Sequence, residues 1–302
     1  MTAKLTLGPV LFNWPAEAWR DFYFRIADEA PIDTVYVGEI VCSKRAPFLA
    51  DHIPAVIDRL ASAGKEVVLS SPTLVTTERE RQSARELADA EGLLIEANDI
   101  GILALLAQRP HAIGPMVNVY NEATLAWMAG RGAVRVTLPG ELARDAIAAL
   151  AATAARHAVA VEIQVFGRLP LAISARCYHA RAHGLHKDGC QFICGRDWDG
   201  MTVSTLDGES FLAVNGTQTL SYTYNALIGE LAELTAMGIG RFRLSPHNFD
   251  MVAVANLYRG LLDGRQDASE AEAALVALVG EPGLSNGFYA GREGVTYGEP
   301  DL

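Results

Sequence analysis

Eight short apolar or β-branched runs, nearly all followed by a segment with helical spacing, predict an α/β protein built on a parallel sheet. Eight such units fit a (β/α)8, TIM-barrel-like fold. A doubly wound sheet is the rival, but no Gly-rich dinucleotide fingerprint follows the first run. The rhythm breaks once, between the seventh and eighth strands, where an insertion of about 166–224 carries three of the four cysteines. The expected organisation is one barrel-like domain over 1–302 with that cysteine-bearing insertion.

The first strand is expected over 4–10, stopping near Pro9. Pro15 opens a helix, where its missing N–H costs nothing, and Trp19, Phe22, Tyr23, Ile26, Ala27 and Ala30 recur on one face. Thr34-Val35-Tyr36-Val37 is the second strand. A helix over 48–63 closes at Gly64. Strand three covers 66–70, and Thr77 with Glu80 forms a capping box for a helix running to 90. Strand four, 93–96, precedes a short helix capped by Asn98 or Asp99. Strand five is expected over 114–119, with Asn121 capping the next helix. Strand six, 134–138, leads to a helix over 141–156, and strand seven covers 159–165. Beyond the cysteine loop, hairpin strands are expected near 211–214 and 219–222. Asn225 is expected to start a helix ending at Gly238. Strand eight, 241–245, stops at Pro246, a helix follows over 250–263, and the tail from Ser285 reads as loop.

Half of the 302 residues are hydrophobic, enough for a sizeable core. A net charge of −11 does not favour nucleic acid or an anionic membrane as partner. The first residues hold no apolar run of signal length, and no stretch has the length of a transmembrane segment. The expectation is a soluble, cytoplasmic protein.

The chemistry concentrates in Cys177, Cys190 and Cys194, spaced C-x12-C-x3-C, with Cys42 far upstream. In a barrel, Cys42 follows strand two and Cys177 follows strand seven, so both fall on the C-terminal face and one shared four-thiolate site is reasonable. Such a site suits an iron–sulfur cluster or a structural zinc; separate buried thiols are the bland alternative. His179, His183 and His186 lie between Cys177 and Cys190 and are competent zinc ligands, but the loop has no C-x2-C pair. The histidines read more simply as a polar, partly solvated loop. Arg45 and Arg176 flank ligand cysteines and could donate to sulfur or hold an acidic small molecule, or could form surface ion pairs. Glu39, Glu96, Asn118 and Glu162 are expected at strand ends, as acid–base groups or as caps. No G-x-S-x-G elbow, H-E-x-x-H helix or C-x3-C-x2-C motif is present.

Several motifs carry a resemblance over nearly the whole length. They are Leu7-Gly8-Pro9-Val10-Leu11, Gly38-Glu39-x-Val41-Cys42-Ser43-Lys44-Arg45 and Leu94-Ile95-Glu96-Ala97-x-Asp99. Gly167-x-Leu169-Pro170-Leu171-Ala172-x-Ser174-Ala175-Arg176-Cys177, Lys187-Asp188-x-Cys190 with Cys194, and Arg243-Leu244-Ser245-Pro246 complete the set. The chain resembles the UbiV-like ubiquinone-biosynthesis proteins of the collagenase-like peptidase superfamily. That resemblance implies a 4Fe-4S cluster on Cys42, Cys177, Cys190 and Cys194, and a heterodimer with a UbiU-like protein. It further implies oxygen-independent hydroxylation of an isoprenoid quinone precursor, alongside a lipid-binding accessory protein and with prephenate as hydroxyl donor. It supplies no catalytic motif beyond the cluster. A peptidase, or a non-catalytic redox-sensing partner subunit, are the other readings.

Overall fold

A computed structural model describes residues 3–298. Eight parallel strands close on themselves: β1 (Lys4–Leu7), β2 (Thr34–Val37), β3 (Glu66–Ser70), β4 (Leu94–Ala97), β5 (His111–Ile113), β6 (Ala133–Thr137), β7 (Ala160–Gly167) and, after an insertion, a closing strand Arg241–Leu244 that pairs with both β7 and β1. The expected (β/α)8 barrel is therefore present. Helices α1 (Ala16–Glu29), α2 (Ala46–Leu49), α3 (Ile53–Ser62), α4 (Glu78–Ala88), α5 (Ile100–Leu106), α6 (Glu122–Ala129) and α7 (Arg144–Arg156) alternate with the first strands. β2 is buried along its whole length, which is why it reads as a continuous β-branched run instead of an alternating one.

The insertion forms its own antiparallel sheet. Its strands are β8 (Pro170–Ile173), β9 (Met201–Ser204), β10 (Ser210–Asn215) and β11 (Gln218–Ser221), in the order β8-β11-β10-β9. A short helix, α8 (Tyr178–Ala182), lies between β8 and β9. β12 (Tyr224–Ala226) then returns to pair antiparallel with the end of β7. Helix α9 (Leu231–Ala236) leads to the closing strand, named β13, and α10 (Met251–Leu262) and α11 (Ala268–Val279) follow it. β14 (Leu284–Ser285) runs parallel to β12.

Several boundaries differ from expectation, each for a local reason. Strand five lies at 111–113 and not 114–119: Pro115 lacks the ladder N–H, and 115–117 is a 3-10 turn ended by left-handed Asn118. The helix expected over 48–63 is two, because Pro54 can offer no N–H to Ala50 and its ring would crowd that carbonyl. Asn225 does not start a helix; it pairs with Gly167, and its side chain donates to Gln164 O at 3.1 Å. Helix α11 falls where the sequence pattern predicts no element, and Asp267 caps it by accepting from Ser269 N at 2.9 Å. The Thr77–Glu80 capping box forms as expected. The tail's last residues, 299–302, lie outside the described residues.

The barrel interior is charged at its middle. Arg243 on β13 donates to Glu162 on β7 at 2.5 Å and to Glu96 on β4 across the barrel, while Tyr36 on β2 reaches Glu162 at 3.1 Å. Glu96 and Glu162 are therefore interior ion-pair partners and not strand-end groups facing solvent. Burial pushes Glu162 up, but Arg243 and Arg135 outweigh it and hold the carboxylate low. Arg243→Ala would leave two buried carboxylates without their main cation. A loss of about 3–5 kcal/mol is expected in denaturant unfolding at neutral pH. Adding Glu96→Gln and Glu162→Gln should restore part of it.

Candidate functional site

The loops after β1, β2 and β8 meet on the C-terminal side of the barrel, around Arg45. This side chain is only 2% exposed. Its Nη1 donates to Leu11 O at 3.2 Å, and its Nη2 donates to Asn215 Oδ1 at 2.7 Å and to Cys194 Sγ at 3.4 Å. Asn215, at the end of β10, is the second hub. Its Oδ1 also accepts from Asn13 N, and its Nδ2 donates to Cys194 O at 3.0 Å and Asp197 O at 2.7 Å. Gly216 follows at φ +70, and a Cβ there would collide with the Arg45 guanidinium. Arg45 was legible beside Cys42; Asn13 and Asn215 were not, because nothing in their local sequence marks them as partners of a distant loop.

All four cysteines are free thiols. Cys42 sits in a turn shaped by Glu39, whose Oε1 accepts from Val41 N at 2.8 Å and Cys42 N at 2.9 Å. Cys177 caps α8 and accepts from Ala180 N at 3.4 Å. Cys190 follows a 3-10 turn over Lys187–Gly189. Cys194 lies in the next such turn and accepts from Asn13 Nδ2 at 3.4 Å as well as from Arg45. Between them Gln191 and Phe192 both adopt left-handed backbone, at φ +50 and +52, a state that costs about 1–3 kcal/mol per non-glycine residue. Lys44 joins the two loops by donating to Lys187 O at 2.7 Å and pairing with Asp188 at 3.1 Å.

The electrostatics link the thiols. Burial pushes the Cys42 and Cys177 thiols up, while the charge of Arg45 pulls both down. Cys177 also feels Cys194 and Cys190. Burial raises the Glu39 carboxyl too, against Arg45 and two backbone N–H groups. Among the described residues no three His, Cys, Asp or Glu side chains are gathered closely enough to form a closed metal-binding group. Cys42, Cys177 and Cys194 each interact with Arg45, and Cys190 acts on Cys177.

The other expected site residues scatter. Arg176 is exposed, and Asn118 is exposed at a turn. His183 and His186 are exposed, as a partly solvated loop requires, and His179 alone departs from that expectation. His179 is fully buried, with Nδ1 3.1 Å from Val214 O and Nε2 3.0 Å from Asp197. His183 stacks on it, and His186 accepts from Gly189 N.

A second polar cluster ties the insertion to the barrel. His247 Nδ1 donates to Asp199 Oδ1 at 2.6 Å, and Asp199 also meets Arg168 and Tyr224. His247 Nε2 accepts from Arg168 N at 3.0 Å. Burial lowers the His247 pKa against the pull of Asp199, and both ring nitrogens are engaged. A void of about 20 Å³ lies between Leu11, Pro115, Met116, Pro170 and Arg243, and a cavity of about 160 Å³ adjoins it past Pro115, Met116, Gln164 and Pro170.

The profile of peptidase family U32 matches residues 21–298, nearly the whole chain. The chain belongs to peptidase family U32. A crystal structure of an enolase from Agrobacterium radiobacter, a putative galactarate dehydratase bound to Na and L-malate, aligns over 54% of this chain and 45% of that one. The identity is 13% and the TM-score 0.30, a likeness too slight to bear on fold or activity. This U32 chain spans less than half of that enolase. Among its described residues no helix is long and apolar enough to cross a membrane.

Burial alone would raise the Asp199 pKa, but His247, Arg168 and Tyr224 hold it down to about 2. The unfolded value is near 3.9, so this carboxylate stabilises the fold above about pH 4, and that contribution is lost as pH falls through about 2. Asp199→Asn should lower stability at pH 5 and flatten the fall in the urea midpoint between pH 5 and pH 3. Parallel curves for variant and wild type would contradict this assignment.

Proposed function

We propose that this U32 protein is UbiV-like: it holds a 4Fe-4S cluster on Cys42, Cys177, Cys190 and Cys194. With a UbiU-like partner it supports oxygen-independent hydroxylation of the ring of a ubiquinone precursor. The observation that supports the reading is that three free thiols from two distant loops, Cys42, Cys177 and Cys194, interact with one buried guanidinium, and Cys190 acts in turn on Cys177. An all-thiolate donor set suits iron–sulfur chemistry, and N–H donors aimed at sulfur tune such clusters. Ala180 supplies one to Cys177, and Asn13 and Arg45 supply two to Cys194. Occupation requires the four thiols to close inward.

When bound, the cluster supplies one-electron transfer; four protein ligands leave no iron open to substrate. The chain's own residues hold the loops. Lys44 joins them, Glu39 shapes the Cys42 turn, and Asn215 fixes the backbone on either side of Cys194's turn. The hydroxyl oxygen comes from a donor other than O2, prephenate being the one that the resemblance implies.

The family's name supplies the second reading, a peptidase. The His247–Asp199 pair looks like the base of a hydrolytic triad, but Nε2 is already occupied by Arg168 N and has no lone pair for a nucleophile's proton.

Protein purified without oxygen should be brown, with a broad charge-transfer absorption and about four irons and four sulfides per chain. Cys194→Ala should bleach it while the circular dichroism is kept. Co-expression with a UbiU-like protein should yield a one-to-one complex. A colourless protein with one zinc would keep the thiolate site and end the redox mechanism; peptide cleavage by the isolated colourless chain would replace the reading outright.

A further inference from the structure

The cavity of about 160 Å³ at the barrel mouth lies between the loops after β3, β5 and β6 and the strand β8, and no cysteine lines it. Gln164, on β7, borders both this cavity and the small void beside it. Its side chain is only 7% exposed. Nε2 donates to Gly167 O at 3.3 Å and to Arg168 O at 3.1 Å. Two carbonyls can take only the NH2 end of the amide, so the other end is the oxygen. Oε1 has no partner, yet it is not sealed from solvent. It therefore looks into the space that the residue lines. A nearly buried acceptor left bare is costly, and native folds seldom keep one without a purpose.

Two more acceptors stand on the walls. Glu141, after β6, is the cavity's one charged side chain, and no Lys or Arg among the described residues lines it. One oxygen of Glu141 accepts from the Tyr120 hydroxyl, and the second has no partner among the described residues. Burial and the bond to Glu141 push the Tyr120 pKa up to about 12, so the phenol keeps its proton and leaves Glu141 its charge. β8 has a strand, β11, on one edge only. Ser174 N donates to Thr217 O at 3.0 Å across that pair. Ile173, one residue earlier, therefore turns its carbonyl to the bare edge, and Ile173 also lines the cavity. Arg243 borders the adjoining void, but Glu96 and Glu162 answer its charge.

An ammonium carries three donors and one positive charge. Acceptors from three elements, one of them a carboxylate, match it. The volume is well below the roughly 300 Å³ at which drug-sized sites begin, so the occupant is small. We propose that this cavity binds the ammonium group of a small primary amine, with Gln164 Oε1, the Glu141 carboxylate and the Ile173 carbonyl as its acceptors. The site goes beyond the proposed function, and nothing in it depends on the cluster.

The test is titration calorimetry of the full chain, purified without oxygen, at neutral pH. Propylamine is the probe, and 1-propanol and propionate are controls of similar length. Propylamine should bind with a Kd of about 1 mM, within reach of so small a ligand, and each control about tenfold more weakly or worse. Glu141→Gln keeps an acceptor for Tyr120 and removes the charge, so it should weaken propylamine about tenfold and leave 1-propanol unchanged. Gln164→Met keeps the length and removes the acceptor, with a similar loss expected. It also removes two hydrogen bonds to the chain, so its melting curve is recorded, and Glu141→Gln decides the matter if it unfolds. Glycylglycinamide separates two sources of an ammonium: tighter binding than propylamine assigns the site to a peptide's N-terminus, weaker binding to a free amine, and either supports it. No propylamine binding by the folded wild type, equal binding of either control, or no loss in folded Glu141→Gln would overturn the inference and leave the proposed function standing.

Discussion

Arg243 is the cross-brace of the molecule. It sits on the strand that closes the barrel, between β7 and β1, and reaches across the interior to Glu96 on the far side. A guanidinium in that place cannot lose its charge. It must therefore find carboxylates, and Glu96 and Glu162 supply them from two other strands. Buried ion pairs are poor evidence of stability, since desolvation takes back most of the attraction. Their effect here is on register. A one-residue slip of β13 would turn Arg243 outward and leave two carboxylates alone in the core. That one arrangement sets which loops stand together on the C-terminal face.

The insertion then decides where on that face a ligand can go. β8 follows β7 at once, and Pro170 on it joins Pro115 and Met116 over the barrel mouth. At the axial position, where barrel proteins most often work, these residues divide a void of about 20 Å³ from a cavity of about 160 Å³. More open space, about 510 Å³, lies to one side, between the loops after β1 and β2 and the turn at Phe192. The His247–Asp199–Arg168 cluster fixes the insertion's angle, because each polar atom in it already has a partner. That cluster is a rivet and not a reaction centre.

The sequence revealed the barrel because β2, β3 and β6 are short β-branched runs, each followed by a segment with helical spacing, and these signals are local. It failed where pairing with a distant strand overrode them. Asn225 looks like a helix cap and becomes a strand residue because the end of β7 needs an antiparallel neighbour. Cys42 and Cys177 could be placed on one face by topology alone, since they come after barrel strands two and seven in the chain. Asn13 and Asn215 could not, because an asparagine becomes a hub only when a loop from elsewhere is laid across it. Burial of His179 was hidden for the same reason: its helix is five residues long and takes its neighbours from β10.

Arg45 gives the cysteine site its direction. A buried arginine needs negative charge, and the nearest carboxyl, Glu39, is itself raised by burial and spends one oxygen on two backbone N–H groups. It is a reluctant counter-ion. Neutral thiols do not help, and burial keeps Cys42 and Cys177 protonated. The field of Arg45 thus favours whatever turns those thiols into thiolates, and a metal group does this directly. Asn13 and Arg45 then have an anionic sulfur at Cys194 to donate to, and their hydrogen bonds gain strength from its charge. Without such a group the arginine faces thiols and amide oxygens, and two left-handed residues hold the loop in a costly shape for little return. The strain at Gln191 and Phe192 makes physical sense when the loop closes on a thiolate-bound group.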